Sequence, residues 1–564
     1  MKNRLLVVWL GMACVCVVAS LTASAEPPPV AAADARMAST TSPVVSCASL
    51  ANVALADLRD APTTIVTATQ QSAMRDLPDF CRVEGYIAPQ VRFELRLPLR
   101  NWNGKFLMQG CGGMCGILNM EACEDALIRG YAVVNTDMGH SGNAGTTSWA
   151  SNEYRPKIDF GYRATHVVSL AAKQLIKRFY GRAQSFSYFR GCSTGGRQAM
   201  IEAQRFPDDF DGIVAGAPPF DESGDGLLHL VWSARASIDA NGRQLIDPDK
   251  MPLIHSAVLA ACGGTQDGFV LEPRRCKWDP VALQCATQAA ANCLTPAEVT
   301  VVQKIYAGAH DANGKRLFPG GMARGSELEW VPLFIGKAKT LMPGMSPDST
   351  LESARAPVFV RDSDNQPMWI GDKVTAMFRN VMMERDPGAS FDVATEDIEA
   401  LRQSIKLVEP LYSARNPDLR EFRDRGGKLI LYHGWNDAEI PPGLSMDYYD
   451  TATRTMGGSA ATREFFRFFM IPGMAHCRRG PGGDALDLLS AIEAWVEQGK
   501  APEFILSYRM VREQTYMGLP VVRYPLKPSE LRWTRRVYAY PNTSIYAGHG
   551  DINTAENWKP AVLR

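Results

Sequence analysis

The sequence predicts an α/β protein, a parallel sheet with crossover helices interrupted by one large insertion. Three observations carry this. Short apolar runs of strand length alternate with helix-length segments between about residues 105 and 215. The alternation stops after Ala217-Pro218-Pro219 and resumes beyond about Asn416. The chain has 564 residues, 46% of them hydrophobic, more than a single core ordinarily supports.

Residues 1–25 read as an export signal: Lys2 and Arg4, an apolar run from Leu5 to Leu21, then Ala23-Ser24-Ala25 as a small-residue cleavage site. A membrane anchor is the alternative, but polar, proline-rich sequence follows at once, and no later run holds about 18 uninterrupted apolar residues. Cys14 and Cys16 lack the approach expected of a lipoprotein cysteine. Residues 26–46, rich in Pro, Ala, Ser and Thr, read as a flexible leader.

Residues 47–219 form the first part of the core. Lys105 to Gln109 and Tyr131 to Thr136 read as strands, Ala164 to Tyr180 as a helix ending before Gly181, and Phe186 to Phe189 as a strand. Gly196 to Phe206 is a helix stopped by Pro207, and Asp211 to Ala215 a further strand. Residues 220–416 are the insertion, in which Thr295-Pro296-Ala297-Glu298 is a capping box opening a helix to about Ala307. Residues 417–564 complete the core: Lys428 to Tyr432 and Phe465 to Ile471 are strands, and Asp484 to Gln498 is a helix capped by Asp484 and closed by Gly499.

Lysine plus arginine equals aspartate plus glutamate, 60 against 60, so no net field favours nucleic acid, an anionic membrane or a polyanion. A neutral small molecule or an ester fits better. With Cys14 and Cys16 removed with the signal, the remaining cysteines are odd in number, which implies disulfides in an oxidising compartment and at least one free thiol or intermolecular bond. A secreted or periplasmic location follows.

Gly191-Cys192-Ser193-Thr194-Gly195 matches the elbow G-x-S-x-G, with a strand before and a helix after. The turn demands residues without bulk because the serine takes a strained backbone conformation. A glycine-rich helix start that happens to carry a serine is the plain alternative. An acid and a base should follow in chain order, each after a strand. Lys428 to Tyr432 runs into His433-Gly434-Trp435-Asn436-Asp437-Ala438-Glu439, and Phe465 to Ile471 into Pro472-Gly473-Met474-Ala475-His476. Asp437 is the expected acid, with Glu439 as substitute, and His476 the expected base. His140 also follows a strand but precedes the serine, so it is assigned to shaping the site; His433 is assigned to ordering the Asp437 loop.

These residues suit acyl transfer: Ser193 attacks an ester carbonyl, His476 moves the proton, and Asp437 fixes the imidazole tautomer. No cofactor is required. The oxyanion would be met by the backbone N–H of Thr194 and by amides of the loop Gly110-Cys111-Gly112-Gly113-Met114-Cys115-Gly116, at Gly112 and Gly113. A phosphate-binding reading of that loop lacks the Lys-Ser or Lys-Thr of a P-loop. Cys192 directly precedes Ser193 and Cys477 directly follows His476. Were the two bonded, their Cα atoms would lie roughly 4.4 to 6.8 Å apart, and serine and histidine would meet.

Together these stretches resemble the tannase and feruloyl esterase family of secreted serine esterases, which includes terephthalate-ester hydrolases. Further family-like segments are Trp102-Asn103-Gly104-Lys105-Phe106, Thr136-Asp137-Met138-Gly139-His140, Asp159-Phe160-Gly161-Tyr162-Arg163 and Phe206-Pro207-Asp208-Asp209-Phe210-Asp211-Gly212. The resemblance implies an α/β-hydrolase core with a large inserted lid domain, the Ser193, Asp437, His476 triad, and a Cys192–Cys477 disulfide. It further implies the pairs Cys47–Cys81, Cys262–Cys276 and Cys285–Cys293; of the cysteines left over, Cys115 is paired with Cys123. It implies a small-molecule ester of an aromatic acid as substrate, feruloyl, caffeoyl, galloyl or terephthalate-like; the balanced charge argues for no nucleic-acid partner, and the lack of a later apolar span for no membrane partner once the signal is removed. Trp369, Phe378 and Met382 are candidates to flank the ring, or else lid core. Many members hold a structural calcium in the lid through several aspartates, but the segment from Cys262 to Val270 keeps only Asp267. A catalytically silent binder of phenolic ligands on the same fold, and a thiol-redox protein using Cys192 and Cys477, are the rival classes.

Overall fold

The computed structural model describes residues 41–563 apart from positions 75, 223–224, 288–289, 311–313, 336–373, 484, 512–514, 517–518, 521 and 523. Its centre is a nine-stranded sheet built from β1 (Thr63–Gln71), β2 (Phe80–Ile87), β3 (Val91–Pro98), β4 (Lys105–Gln109), β5 (Ala132–Thr136), β6 (Phe186–Cys192), β7 (Gly212–Gly216), β8 (Lys428–Gly434) and β9 (Phe466–Ile471). Their order is β1-β2-β3-β5-β4-β6-β7-β8-β9. β1, β2, β3 and β5 pair antiparallel, and β5, β4, β6, β7, β8 and β9 are parallel throughout.

The parallel strands read as nearly continuous apolar runs because both faces are covered. Side chains alternate across the sheet, so Phe106, Phe189, Ile213 and Leu429 enter one apolar cluster and Leu107, Tyr188, Val214 and Ile430 the other. Helices α1 (Ala164–Tyr180) and α2 (Thr194–Arg205) cover the first face, and α7 (Leu488–Gln498) covers the second. α1 ends at Gly181 in the left-handed conformation, and α7 at Gly499 likewise. The cap of α7 is Asp487, whose side chain accepts the Ser490 amide; the expected cap Asp484 lies outside the described residues.

β7 and β8 are neighbours in register, Gly212 beside Lys428, yet the insertion separates them in sequence. Its longest helices are α3 (Asp225–Ala236), α4 (Met251–Ala261) and α5 (Pro296–Ala307), while α6 (Gly443–Thr455) follows β8. The predicted capping box is present: the Thr295 hydroxyl accepts the Glu298 amide and the Glu298 carboxylate accepts the Thr295 amide. Leu228, Val302 and Trp330 of the insertion join the same apolar cluster as Ile213 and Leu429 of the sheet. Insertion and core thus share one hydrophobic interior. This arrangement of sheet and insertion is that of an α/β hydrolase.

The expected leader is shorter at its end. Thr41 already donates to the Trp102 carbonyl at 3.1 Å and Val44 to that of Phe179 at 2.9 Å, so ordered chain begins before Cys47. The signal segment lies outside the described residues.

Among the described residues five disulfides form. Cys47–Cys81, Cys192–Cys477, Cys262–Cys276 and Cys285–Cys293 are the expected pairs. Cys115 does not reach Cys123; it bonds Cys111 across a tight loop that sets their Cα atoms 5.5 Å apart. Cys123 is the free thiol among the described residues, sealed in the second apolar cluster, where burial pushes its pKa up to about 12 and leaves it inert.

α2 approaches β7 backbone to backbone at one point: a Cβ at Gly196 would lie 2.1 Å from the Gly216 carbonyl oxygen. Gly196→Ala is therefore expected to destabilise the fold by about 3 kcal/mol, read as a lower denaturant midpoint. A midpoint unchanged from the parent would contradict this packing.

Candidate active site

The loops that leave the carboxyl ends of β4, β6, β8 and β9 converge on one edge of the sheet. This edge includes the switch point, where β4 is followed by β5 on one side and β6 on the other, the place where open α/β sheets build their sites. Backbone strain concentrates there. Non-glycine residues with positive φ occur at Cys115 (59°), Met138 (62°), Ser193 (62°), Ala217 (37°) and Cys477 (62°), following β4, β5, β6, β7 and β9 respectively. Strained conformations of this kind persist where surrounding structure over-determines them, and they cluster at functional sites.

Ser193 is half-buried between the end of β6 and the start of α2, and its amide donates to the Gly216 carbonyl at 3.0 Å. Gly191 keeps the turn tight, since a Cβ there would meet the Gly195 carbonyl oxygen at 2.4 Å. The Cys192–Cys477 disulfide brings the two cysteine Cα atoms to 5.9 Å, which draws the serine and histidine loops together. Among the described residues Ser193 Oγ makes no side-chain hydrogen bond; catalytic hydrogen bonds in ligand-free sites often tighten only when substrate arrives.

Asp437 is completely buried, and its four bonds leave little acceptor capacity unused. Oδ1 accepts the amides of Glu439 at 3.0 Å and Ile440 at 2.8 Å, while Oδ2 accepts His476 Nδ1 at 2.7 Å and lies 3.2 Å from His433 Nε2. Burial alone would raise this carboxyl. The imidazoles of His476 and His433 reverse that and hold it far below the usual carboxylate range. His433 Nε2 also donates to the Ile440 carbonyl at 2.8 Å, and its Nδ1 accepts the Ser445 hydroxyl at 2.7 Å, which fixes its tautomer. It orders the acid loop, as expected from sequence, and additionally braces the acid itself.

The predicted base and acid thus meet, and the substitute acid does not replace Asp437. Glu439 lies on the other side of the imidazole, 4.0 Å from Nε2. Burial pushes His476 down, but the charges of Asp437 and Glu439, the Asp437 hydrogen bond and the charge of Glu222 more than reverse it, setting its pKa at about 9.

Most backbone donors of the loop after β4 are already engaged. In the loop after β4, the amides of Gly110, Cys111, Met114, Cys115 and Gly116 are taken by Arg190 O, Gln198 Oε1, Ala144 O, Gly112 O and Asp137 O. The amides of Gly112 and Gly113 have no protein partner among the described residues, and Gly112 faces open space. Thr194 opens α2, where first-turn amides have no intrahelical acceptor. Its hydroxyl donates to the Gly113 carbonyl at 2.8 Å and so locks elbow to loop. Gln198 from α2 clamps Cys111, and His140 Nε2 donates to the Met114 carbonyl at 2.6 Å while stacking on Trp149. Burial lowers His140 to about 4, which suits it to shaping this loop as a neutral ring. The Cys111–Cys115 bridge and Gln198 were not foreseen from sequence; the four-residue spacing of the cysteines around two glycines was the available signal.

Other expected ligands sit elsewhere. Phe378 and Met382 lie fully buried in a helical turn of the shared core, so they fill the interior and do not flank a ligand, while Trp369 lies outside the described residues. Asp267 is committed to Arg535 Nη2 at 2.6 Å. Among the described residues no three His, Cys, Asp or Glu side chains converge as a metal would require, and the lid position does not fit calcium.

Known proteins match this geometry along nearly the whole chain. Residues 73–561 fit the family model described as tannase and feruloyl esterase. A mono(2-hydroxyethyl) terephthalate hydrolase from Piscinibacter sakaiensis is 33% identical over 548 residues, 86% of this chain and 85% of that protein. A probable feruloyl esterase B-2 from Aspergillus flavus is 32% identical over 477 residues, 79% of this chain and 83% of that one. The crystal structure of feruloyl esterase B from Aspergillus oryzae superposes with a TM-score of 0.71 at 27% identity, over 92% of this chain and 100% of that one. The chain belongs to the tannase and feruloyl esterase family and is a carboxylic ester hydrolase.

Proposed function

We propose that this protein is a secreted serine esterase that hydrolyses esters of aromatic acids through Ser193, His476 and Asp437. The observation that carries the reading is the pairing of His476 Nδ1 with buried Asp437 at 2.7 Å, on a loop bonded through Cys477 to the residue beside Ser193. Ser193 attacks the ester carbonyl as His476 Nε2 takes its proton; Asp437 holds Nδ1–H and steadies the imidazolium. The amides of Thr194, Gly112 and Gly113 receive the tetrahedral oxyanion, and collapse expels the alcohol, protonated by Nε2. Water then attacks the acyl-enzyme by the same relay. No metal or cofactor enters these steps.

Aromatic acyl groups are supported by the relatives whose names carry feruloyl and terephthalate substrates, and the insertion, packed on the core, is assigned as the lid that selects among them. Export is supported by the disulfides and by the signal-like first 25 residues; among the described residues no helix is long and apolar enough to cross a membrane.

Ser193→Ala is expected to lower turnover of a chromogenic aryl ester by at least about a thousandfold with the melting temperature unchanged. Undiminished turnover would refute the reading, and a Ser193 that resists a fluorophosphonate while the protein binds ferulate would point to the silent binder.

His476 accepts a proton only when neutral. Because its pKa is raised from 6.5 to about 9, kcat/KM should climb with pH along a limb centred well above 6.5. The same sign governs stability: the contribution of the pair is complete at 6.5 and below, down to the carboxylate range, and is lost as pH rises through about 9. A kinetic limb at or below 6.5 would contradict this electrostatic account.

A further inference from the structure

The mechanism uses Nδ1 of His476 for the acid and Nε2 for the proton. It leaves unexplained a carboxylate beside Nε2. Glu439 Oε2 stands 4.0 Å from that atom, and its side chain is 49% exposed. Its backbone is fixed by the amide hydrogen bond to Asp437 Oδ1 at 3.0 Å, so the acid residue itself holds Glu439 in place. Among the described residues, the Glu439 carboxylate has no ionic partner except His476.

Two neighbouring carboxylates are committed: Asp437 pairs with His476, and Glu222 from the insertion pairs with Arg197 at 2.8 Å. Burial, with the charge of Asp437, pushes the Glu329 carboxyl of the insertion up to about 7 against the opposing charges of Arg479 and His255. When His476 is neutral and ready to act as base, the Glu439 side chain has no ionic partner among the described residues and stands beside the atom that hands the proton to the departing alcohol.

We propose that Glu439 reads the charge of the leaving alcohol: it favours esters of neutral, hydroxyl-bearing alcohols, whose O–H groups can donate to it, and rejects those whose alcohol part carries a carboxylate. The inference rests on the esterase reading above, because Nε2 must face the leaving oxygen. That oxygen approaches Nε2 to hydrogen-bond distance. Substituents one or two bonds away therefore come within several ångströms of Glu439. Two like charges at such a separation, half-exposed to water, cost about a tenfold change in rate.

The test uses two esters sharing one acyl group: the glycerol ester of caffeic acid, with a neutral diol-bearing alcohol, and chlorogenate, whose alcohol part carries a carboxylate. Both are assayed at the alkaline plateau on the parent, Glu439→Gln and Glu439→Lys. The parent should prefer the neutral ester by about tenfold in kcat/KM, a ratio that shrinks as salt rises. Glu439→Gln should bring the ratio within about twofold of unity, chiefly by gaining on chlorogenate, and Glu439→Lys should invert it. An unchanged ratio in both variants, with melting temperatures like that of the parent, overturns the proposal. Fluorophosphonate labelling of Ser193 runs in parallel: labelling with an unchanged ratio overturns the Glu439 role alone, whereas no labelling and no hydrolysis in the parent overturns both.

Discussion

The site depends on one covalent constraint, the bond from Cys192 at the end of β6 to Cys477 after β9. Two other strands, β7 and β8, separate β6 from β9 in the sheet. Three strand spacings amount to roughly 14 Å, so loops rising straight from the two strands would hold their residues well apart. The disulfide requires them to bend toward each other until the cysteine Cα atoms are 5.9 Å apart. Ser193 and Cys477 each carry a positive φ of 62°, the backbone signature of two turns held against their local preference. In the chain-entropy model, closing so long a loop contributes about 5 kcal/mol, an upper figure that offsets the cost of those turns.

The second constraint is the burial of Asp437. A buried carboxylate without partners is prohibitively costly, and this one is tolerated because two amides and two imidazoles surround it. The same bonds fix what lies around it. The two amide contacts shape the turn that presents Glu439, the His433 contact links the acid to Ser445 on α6, and the His476 contact orients the ring whose far nitrogen lies 4.0 Å from Glu439. The loop after β4 is arranged on the same logic, with every amide engaged except those of Gly112 and Gly113.

Much of this was legible in the sequence because the parallel strands are buried on both faces and read as short apolar runs, and because the elbow, the acid and the base each follow such a run. Caps were legible where side chain and backbone agree, as at Thr295 and Gly181. The helix cap was read at Asp484 whereas Asp487 fills it, because two acids precede the same helix and periodicity does not choose between them. Cysteine pairing within 111–123 was not legible, since a bridge across four residues is decided by a local turn and not by pattern. Phe378 and Met382 stood as ring-flanking residues or lid core because composition does not distinguish a side chain that faces a ligand from one that fills a core, and burial places both in the core. The position of Glu439 on the Nε2 side of His476 depends on the turn closed by Asp437, which only the folded chain displays.

In the proposed mechanism the Cys192–Cys477 disulfide positions Ser193 against His476. The most direct measurement is steady-state kinetics of the Cys192→Ala/Cys477→Ala double variant on an aryl ester, alongside its melting temperature. If positioning is the role of the bond, kcat falls by about a hundredfold in protein that remains folded, while KM changes by no more than a few-fold. A folded double variant that retains the kcat of the parent would contradict the claim.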